Sequence, residues 1–142
     1  MINKWLMSSN TDNRATPQAF FDELDKEFWF TLDVCADDIN HKCAIYFTKD
    51  DDGLSKNWNN SIIFMNPPYW KEIGKRVKKA SEAKGGIVVC LLPARTDTRY
   101  FHDYIYWKAE IRFIKWRLKF WWSKNSAPFP SMVVIFNNPT TA

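Results

Sequence analysis

The sequence predicts an α/β fold, a mostly parallel central sheet with helices packed against it, and three observations carry that prediction. Apolar runs of strand length alternate along the chain with stretches whose apolar residues recur at helical spacing. Two runs, Ile62-Ile63-Phe64-Met65 and Ile87-Val88-Val89-Cys90-Leu91-Leu92, are unbroken, as in strands buried on both faces. Three predicted strands end in polar or proline-containing segments, at Asp33, at Asn66-Pro67-Pro68-Tyr69 and at Pro93-Ala94-Arg95. Open α/β sheets gather their ligands at such carboxyl ends.

Each element has a local reason. Thr16-Pro17 reads as a helix start, with Thr at the N-cap and Pro at the first position, where its missing N–H costs nothing. Phe20, Phe21 and Leu24 then form one apolar face, with Asp22 and Glu23 near the favourable end of the helix dipole. The aromatic, β-favouring run from Phe28 to Val34 predicts a strand, and Ile62 to Met65 a second. From Trp70 to Lys84, Ile73, Val77 and Ala80 share a helical stripe that Gly85-Gly86 closes. Ile87 to Leu92 predicts the central strand, and a short helix after Thr98 buries Phe101, Tyr104 and Ile105. Ile111 to Phe120 and Met132 to Phe136 complete the strands. Residues 1–13 and 137–142 are polar and expected to be loose, leaving 14–136 as a single domain.

Composition narrows the function classes. No apolar run approaches the roughly 20 residues of a membrane span, and Met1-Ile2-Asn3-Lys4-Trp5 lacks the apolar stretch of a signal peptide. Three cysteines, none in a Cys-x-x-Cys pair, and two scattered histidines argue for reduced thiols and against a metal site. The net charge of +4 hides an asymmetry: residues 1–60 carry 6 Lys/Arg against 11 Asp/Glu, and residues 61–142 carry 14 against 5. A basic second half suits a polyanion, although Lys71, Lys75, Lys78, Lys79 and Lys84, at helical spacing, fit a solvated helix face at least as well.

Asn66-Pro67-Pro68-Tyr69 carries the chemistry. A planar amino nitrogen is a poor nucleophile because its lone pair is delocalised, and it has no acidic proton for a base to remove. Activation requires acceptors that favour a pyramidal nitrogen. Asn66 offers a side-chain carbonyl, Pro67 a main-chain carbonyl on a stiff backbone, Pro68 further rigidity, and Tyr69 a face on which a rotated base can stack. Read as structure alone, Pro-Pro-Tyr merely ends a strand or serves as an extended ligand. Its place directly after a buried strand favours catalysis.

With these blocks in order, the chain resembles the phage-type DNA N-6-adenine methyltransferases, the small Dam-like family. The similarity runs over residues 14 to 136. It covers Ala15-Thr16-Pro17 with Phe20-Phe21, Phe30-Thr31-Leu32-Asp33 with Ala36, and Tyr46-Phe47-Thr48. It continues through Asp52-Gly53-Leu54, Trp58, Asn66 to Tyr69, Leu92 to Thr98, Phe101-His102 and Arg117-Leu118-Lys119-Phe120. The resemblance implies a compact, trimmed class I methyltransferase, a Rossmann-like three-layer sandwich, with S-adenosylmethionine as methyl donor. It places Thr16, Pro17, Asp33, Ala36, Asp52 and Leu54 at the donor. The turn after the first strand, Asp33-Val34-Cys35-Ala36-Asp37, contains no glycine, and only 33 residues (66 − 33) separate Asp33 from Asn66. Asp50-Asp51-Asp52-Gly53 also fits a solvated turn, Asp50 above all.

Ile114 to Phe120 alternates strictly, so as a strand it turns Lys115, Arg117 and Lys119 to one face. That face suits a phosphate backbone, with Trp121 or Trp122 to stack on a base. An ordinary charged edge strand is the alternative. Arg95 and Arg99, just past the central strand, are further candidate phosphate contacts. The expected partner is DNA, the expected setting the cytosol of a bacterial host of a phage, and the role protection from restriction or marking of DNA by a monomer or homodimer. Methylation of RNA or of protein glutamine, and a catalytically silent DNA-binding scaffold, are the rival functions.

Overall fold

The structure is a computed structural model that describes residues 16–67, 72–119 and 127–140. Helix α1 (Gln18–Phe28) is followed by strands β1 (Leu32–Asp33) and β2 (Ile62–Met65), helix α2 (Ile73–Glu82) and strand β3 (Gly86–Pro93). A π-helical turn (Phe101–Ile105), β4 (Glu110–Phe113) and β5 (Ser131–Asn138) complete it. The five strands form one sheet in the order β1-β2-β3-β5-β4. β1, β2 and β3 pair in parallel, while β5 pairs antiparallel with both β3 and β4. The sheet is therefore mixed, with β5 running against the other strands. A single bridge between Asp33 and Tyr46 extends it beyond β1.

Strand periodicity divides the core in two. Ile63, Met65, Val88, Cys90, Leu92, Met132, Val134 and Phe136 pack with Val77 and Ala80 of α2 and with Phe101 and Ile105. Phe64, Val89, Leu91, Val133 and Ile135 face the other way, onto Phe21 and Leu24 of α1. Phe64 anchors that second cluster, edge-on to Phe21 at 5.1 Å between centroids. Burial of each such side chain contributes about 1.5–3 kcal/mol.

Several expectations shift. Pro17 is the N-cap of α1, one position later than expected, and no side chain caps the helix. No acidic residue falls in its first turn, so Asp22 and Glu23 sit too far along to meet the dipole end. The strand expected from Phe28 shrinks to Leu32–Asp33, because α1 runs through Phe28 and ends on Trp29 in the left-handed region, φ 59°. Asp25 fixes this exit: its carbonyl accepts from Trp29 N–H at 2.9 Å and its carboxylate from Phe30 N–H at 2.9 Å. Helix α2 ends at Glu82, before Gly85-Gly86. Its final carbonyls are met by Asn138 Nδ2, which lies 3.3, 3.1 and 2.8 Å from those of Ala80, Ser81 and Ala83. β5 thus runs two residues past the expected domain end at 136. Gly86 is obligatory where β3 starts, since a Cβ there would fall 2.0 Å from the Ser61 carbonyl oxygen.

The largest correction concerns residues 114–120. β4 stops at Phe113, Trp116 adopts a left-handed φ of 67°, and the alternating basic face of Lys115, Arg117 and Lys119 does not form. Ile114 N–H still donates to the Ser131 carbonyl at 3.1 Å and Ala127 N–H to the Leu118 carbonyl at 2.6 Å, but between these bonds the left-handed turn at Trp116 breaks the alternation. Phe120, Trp121 and Trp122 lie outside the described residues, as does the expected loose segment 1–13.

Candidate active site

Because β1, β2 and β3 are parallel, Asp33, Asn66 and Pro93 emerge on one edge of the sheet. Asn66 is the first residue beyond β2 and is half-buried, while Pro67 is fully buried and locks the turn. Asn66 Nδ2 donates a 3.0 Å hydrogen bond to Thr16 Oγ1. Thr16, only 3% exposed, sits just ahead of α1, 50 residues away in sequence. That bond brings the segment expected at the donor against the residue expected to hold the substrate nitrogen. Pro68 and Tyr69 lie outside the described residues.

Asp33 takes a different part from the expected one. It is 3% exposed, and its Oδ1 and Oδ2 accept from the backbone N–H of Cys35 at 3.2 Å and of Lys42 at 2.9 Å. Burial raises its carboxyl pKa above the ordinary value, with the two N–H groups pulling in the opposite direction. The carboxylate thus shapes the 34–42 loop. Its main chain pairs with the next segment, Phe47 N–H donating to the Asp33 carbonyl at 2.8 Å and Ala36 N–H to that of Phe47 at 3.0 Å. Ala36 is half-buried in this turn. Cys35 beside it is pushed up to about 12, mainly by burial, so it holds a neutral thiol.

The Asp50-to-Gly53 segment is built from two 3₁₀ turns, Lys49–Asp51 and Gly53–Ser55, joined at Asp52 in the left-handed region, φ 51°. Thr48 and Asp51 cap the first turn reciprocally, and those hydrogen bonds hold the Asp51 carboxyl below its ordinary pKa. Asp52 is exposed and Leu54 half-buried. Gly53 between them is buried, its carbonyl accepting from Trp58 Nε1 at 2.9 Å. A Cβ on Gly53 would lie 3.1 Å from the Val34 carbonyl oxygen, so this glycine lets the loop close onto the end of β1. Val34 N–H in turn donates to the Phe64 carbonyl at 3.3 Å, which ties that strand end to β2. The 52–54 loop therefore closes onto the turn after β1, which is tied to β2 two residues before Asn66.

Sequence reading missed Arg76. It stands on the buried face of α2, three residues from Ile73 and four from Ala80, and that spacing was its available signal. Its Nη1 donates to Cys35 Sγ at 3.5 Å and its Nη2 lies 3.7 Å from Glu72 Oε2. Its Nε is buried without a hydrogen-bond partner. The arginine joins α2 to the turn after β1.

The expected phosphate contacts scatter. Arg95 and Arg99 are exposed beyond β3, with Arg95 5.9 Å from the Phe129 ring. Lys115 lies 5.2 Å over the Trp116 ring, Arg117 Nη1 donates to the Ala127 carbonyl at 3.4 Å, and Lys119 is exposed. These three follow β4, three strand spacings from β2, or about 14 Å. Arg112 on β4 is already committed, bidentate to Glu27 at 2.7 Å on each arm and to Glu110 at 2.6 Å. Among the described residues, no group of three or more His, Cys, Asp and Glu is placed to hold a metal ion. No described helix is long and apolar enough to cross a membrane.

The family model for DNA N-6-adenine-methyltransferase (Dam) matches residues 4–140. A DNA N-6-adenine-methyltransferase of Haemophilus phage HP1 (strain HP1c1) is 30% identical over 97 residues, covering 66% of this chain and 56% of that protein. The Escherichia coli (strain K12) protein named "Putative methyltransferase YfdM" is 35% identical over 65 residues, covering 41% of this chain and 71% of its own length. The chain thus matches little more than half of the phage relative's length.

Proposed function

The chain belongs to the DNA N-6-adenine-methyltransferase (Dam) family, and on that premise we propose that it transfers a methyl group from S-adenosylmethionine to the N6 amino group of an adenine rotated out of DNA. The observation that carries the reading is the 3.0 Å hydrogen bond from Asn66 to Thr16 at the end of β2, which supports assigning the amide to the substrate and the segment ahead of α1 to the donor. In this reading the fold is a trimmed class I methyltransferase with one helical layer on each face of the sheet, α1 on one and α2 on the other.

The residues present fit the donor. Gly53 lets the 52–54 loop close against the end of β1, and exposed Asp52 stands beside half-buried Leu54. Thr16, Pro17, the Val34-to-Ala36 turn, Asp52 and Leu54 would hold it, and it supplies an electrophilic methyl. Asp33 acts here as a positioning residue, its carboxylate fixing the loop that follows β1. Asn66 and the Pro67 carbonyl accept from the adenine amino group and favour its pyramidal form, while Pro68 stiffens the turn and Tyr69 stacks on the base. The carboxamide needs no change of protonation state, so catalysis rests on orientation and electrostatics. Arg95 and Arg99, exposed beyond β3, contact phosphates of the DNA. The setting is the cytosol of a bacterial host.

Incubating the full chain with methyl-labelled donor and, separately, DNA, RNA and a glutamine-bearing protein tests this. Label on DNA alone, recovered as N6-methyladenine, is the expected result. Label on RNA or protein in place of DNA, or no binding of the donor, overturns it.

A further inference from the structure

An open groove of about 290 Å³ separates α2 from the π-helical turn. Lys75 and Lys78 form one wall, Arg99 and Asp103 belong to the other, and buried Tyr100 and half-buried Tyr104 complete the lining. Gly74 also lines it, beside Tyr100. All three cations are exposed, and none has a carboxylate within 4.0 Å among the described residues. Three other arginines of the described fold are committed instead: Arg112 to Glu27 and Glu110, Arg76 to Glu72 and Cys35, Arg117 to the Ala127 carbonyl.

Position adds to charge. Both walls grow from the carboxyl ends of strands beside the Asn66 turn. Lys75 is eight residues past Pro67 (75 − 67) and Arg99 six past Pro93 (99 − 93). The groove therefore follows two strands whose carboxyl ends share the edge of the sheet that carries Asn66. Three exposed cations without carboxylate partners around one opening match the phosphates of a nucleic-acid backbone. The single acid, Asp103, leaves an excess of two positive charges.

We propose that this groove, lined by Lys75, Lys78 and Arg99, is the principal phosphate-binding track for DNA, seating the backbone next to the target adenine. It takes the place of the basic strand face that Lys115, Arg117 and Lys119 do not form. The proposal rests on the methyltransferase reading for the identity of the polyanion, and the two fail differently.

The test compares the full-length wild type with the Lys75→Ala/Lys78→Ala and Arg99→Ala variants, and with Lys26→Ala as a charge-matched control on the outer face of α1. Dissociation constants for a short duplex are measured across a range of salt. Each lost phosphate contact should lower the slope of log K against log salt by about 0.9. The double variant is therefore expected to lose about two units of slope and the Arg99 variant about one. KM for DNA should rise at least tenfold in the double variant while kcat at saturating DNA and donor affinity stay at wild-type values. Retained donor affinity shows that the variants are folded. Unchanged slopes in folded groove variants overturn the track, and so does a slope loss in Lys26→Ala equal to theirs. If the wild type binds duplex through these residues but methylates no DNA, the groove stands and the enzymatic reading falls. A wild type that binds no duplex, or binds RNA through the groove in preference to DNA, overturns the proposal.

Discussion

Replacing Thr16 by valine keeps the side chain's shape and removes the hydroxyl that accepts from Asn66 Nδ2 at 3.0 Å. A hydrogen bond of this kind contributes about 0.5–1.5 kcal/mol net. Thr16 is 3% exposed but Asn66 is half-buried, so water partly replaces the lost acceptor. The cost should therefore fall near the middle of that range, about 1 kcal/mol. If the bond holds the carboxamide in its working orientation, the loss appears in the transition state as about a fivefold fall in kcat. Thr16→Ser restores the hydroxyl and should recover most of it. The assay is methyl transfer to DNA at saturating donor, with urea unfolding of the same variants to confirm that they remain folded. A valine variant that raises KM for the donor and leaves kcat unchanged would mean that Thr16 serves the donor alone. A serine variant no better than valine would refute the hydrogen bond as the cause.

Three further outcomes follow from the geometry. Gly53→Ala should destabilise the fold by about 1–3 kcal/mol and weaken donor binding more than DNA binding, because its methyl meets a main-chain carbonyl at 3.1 Å; equal loss of both affinities in titration calorimetry would count against the role given to that loop. Burial raises the Asp33 pKa in the folded state, so the folded protein binds the proton more tightly than the unfolded chain. Wild-type stability relative to Asp33→Asn should accordingly decline as pH rises from about 4 through the raised pKa and then level off; urea titrations across pH would show the contrary as a rise. Asn138→Ala should cost about 1–2 kcal/mol through the uncapped carbonyls of α2, with methyl-transfer activity per folded molecule unchanged.

The sequence made the middle of the sheet and α2's buried stripe legible, because burial on two faces leaves little choice of residue. β2 matches its apolar run residue for residue, and β3 extends its run by one residue at each end. The failures came where tertiary context outweighed local pattern. Aromatic β-formers at Phe28 to Phe30 were claimed by α1 and the Asp25 turn. The alternating segment after β4 is broken by the left-handed turn at Trp116, which its apolar and basic alternation does not signal. The convergence of strand ends was readable from three polar breaks. The Thr16–Asn66 bond and the buried Arg76 were not, since each depends on contacts between segments far apart in the chain; the Asp33 carboxylate turns inward through a loop closure onto Cys35 and Lys42 that carries no pattern of its own.

The central claim is that Asn66 presents an adenine amino group for methylation, and one measurement addresses it most directly. Wild type and Asn66→Ala are given labelled S-adenosylmethionine and DNA, and the DNA is digested and its modified base identified. N6-methyladenine from the wild type, with at least about a hundredfold slower transfer by a variant that still binds donor, is the predicted result. Transfer by Asn66→Ala at the wild-type rate, or a methylated base other than adenine, contradicts it.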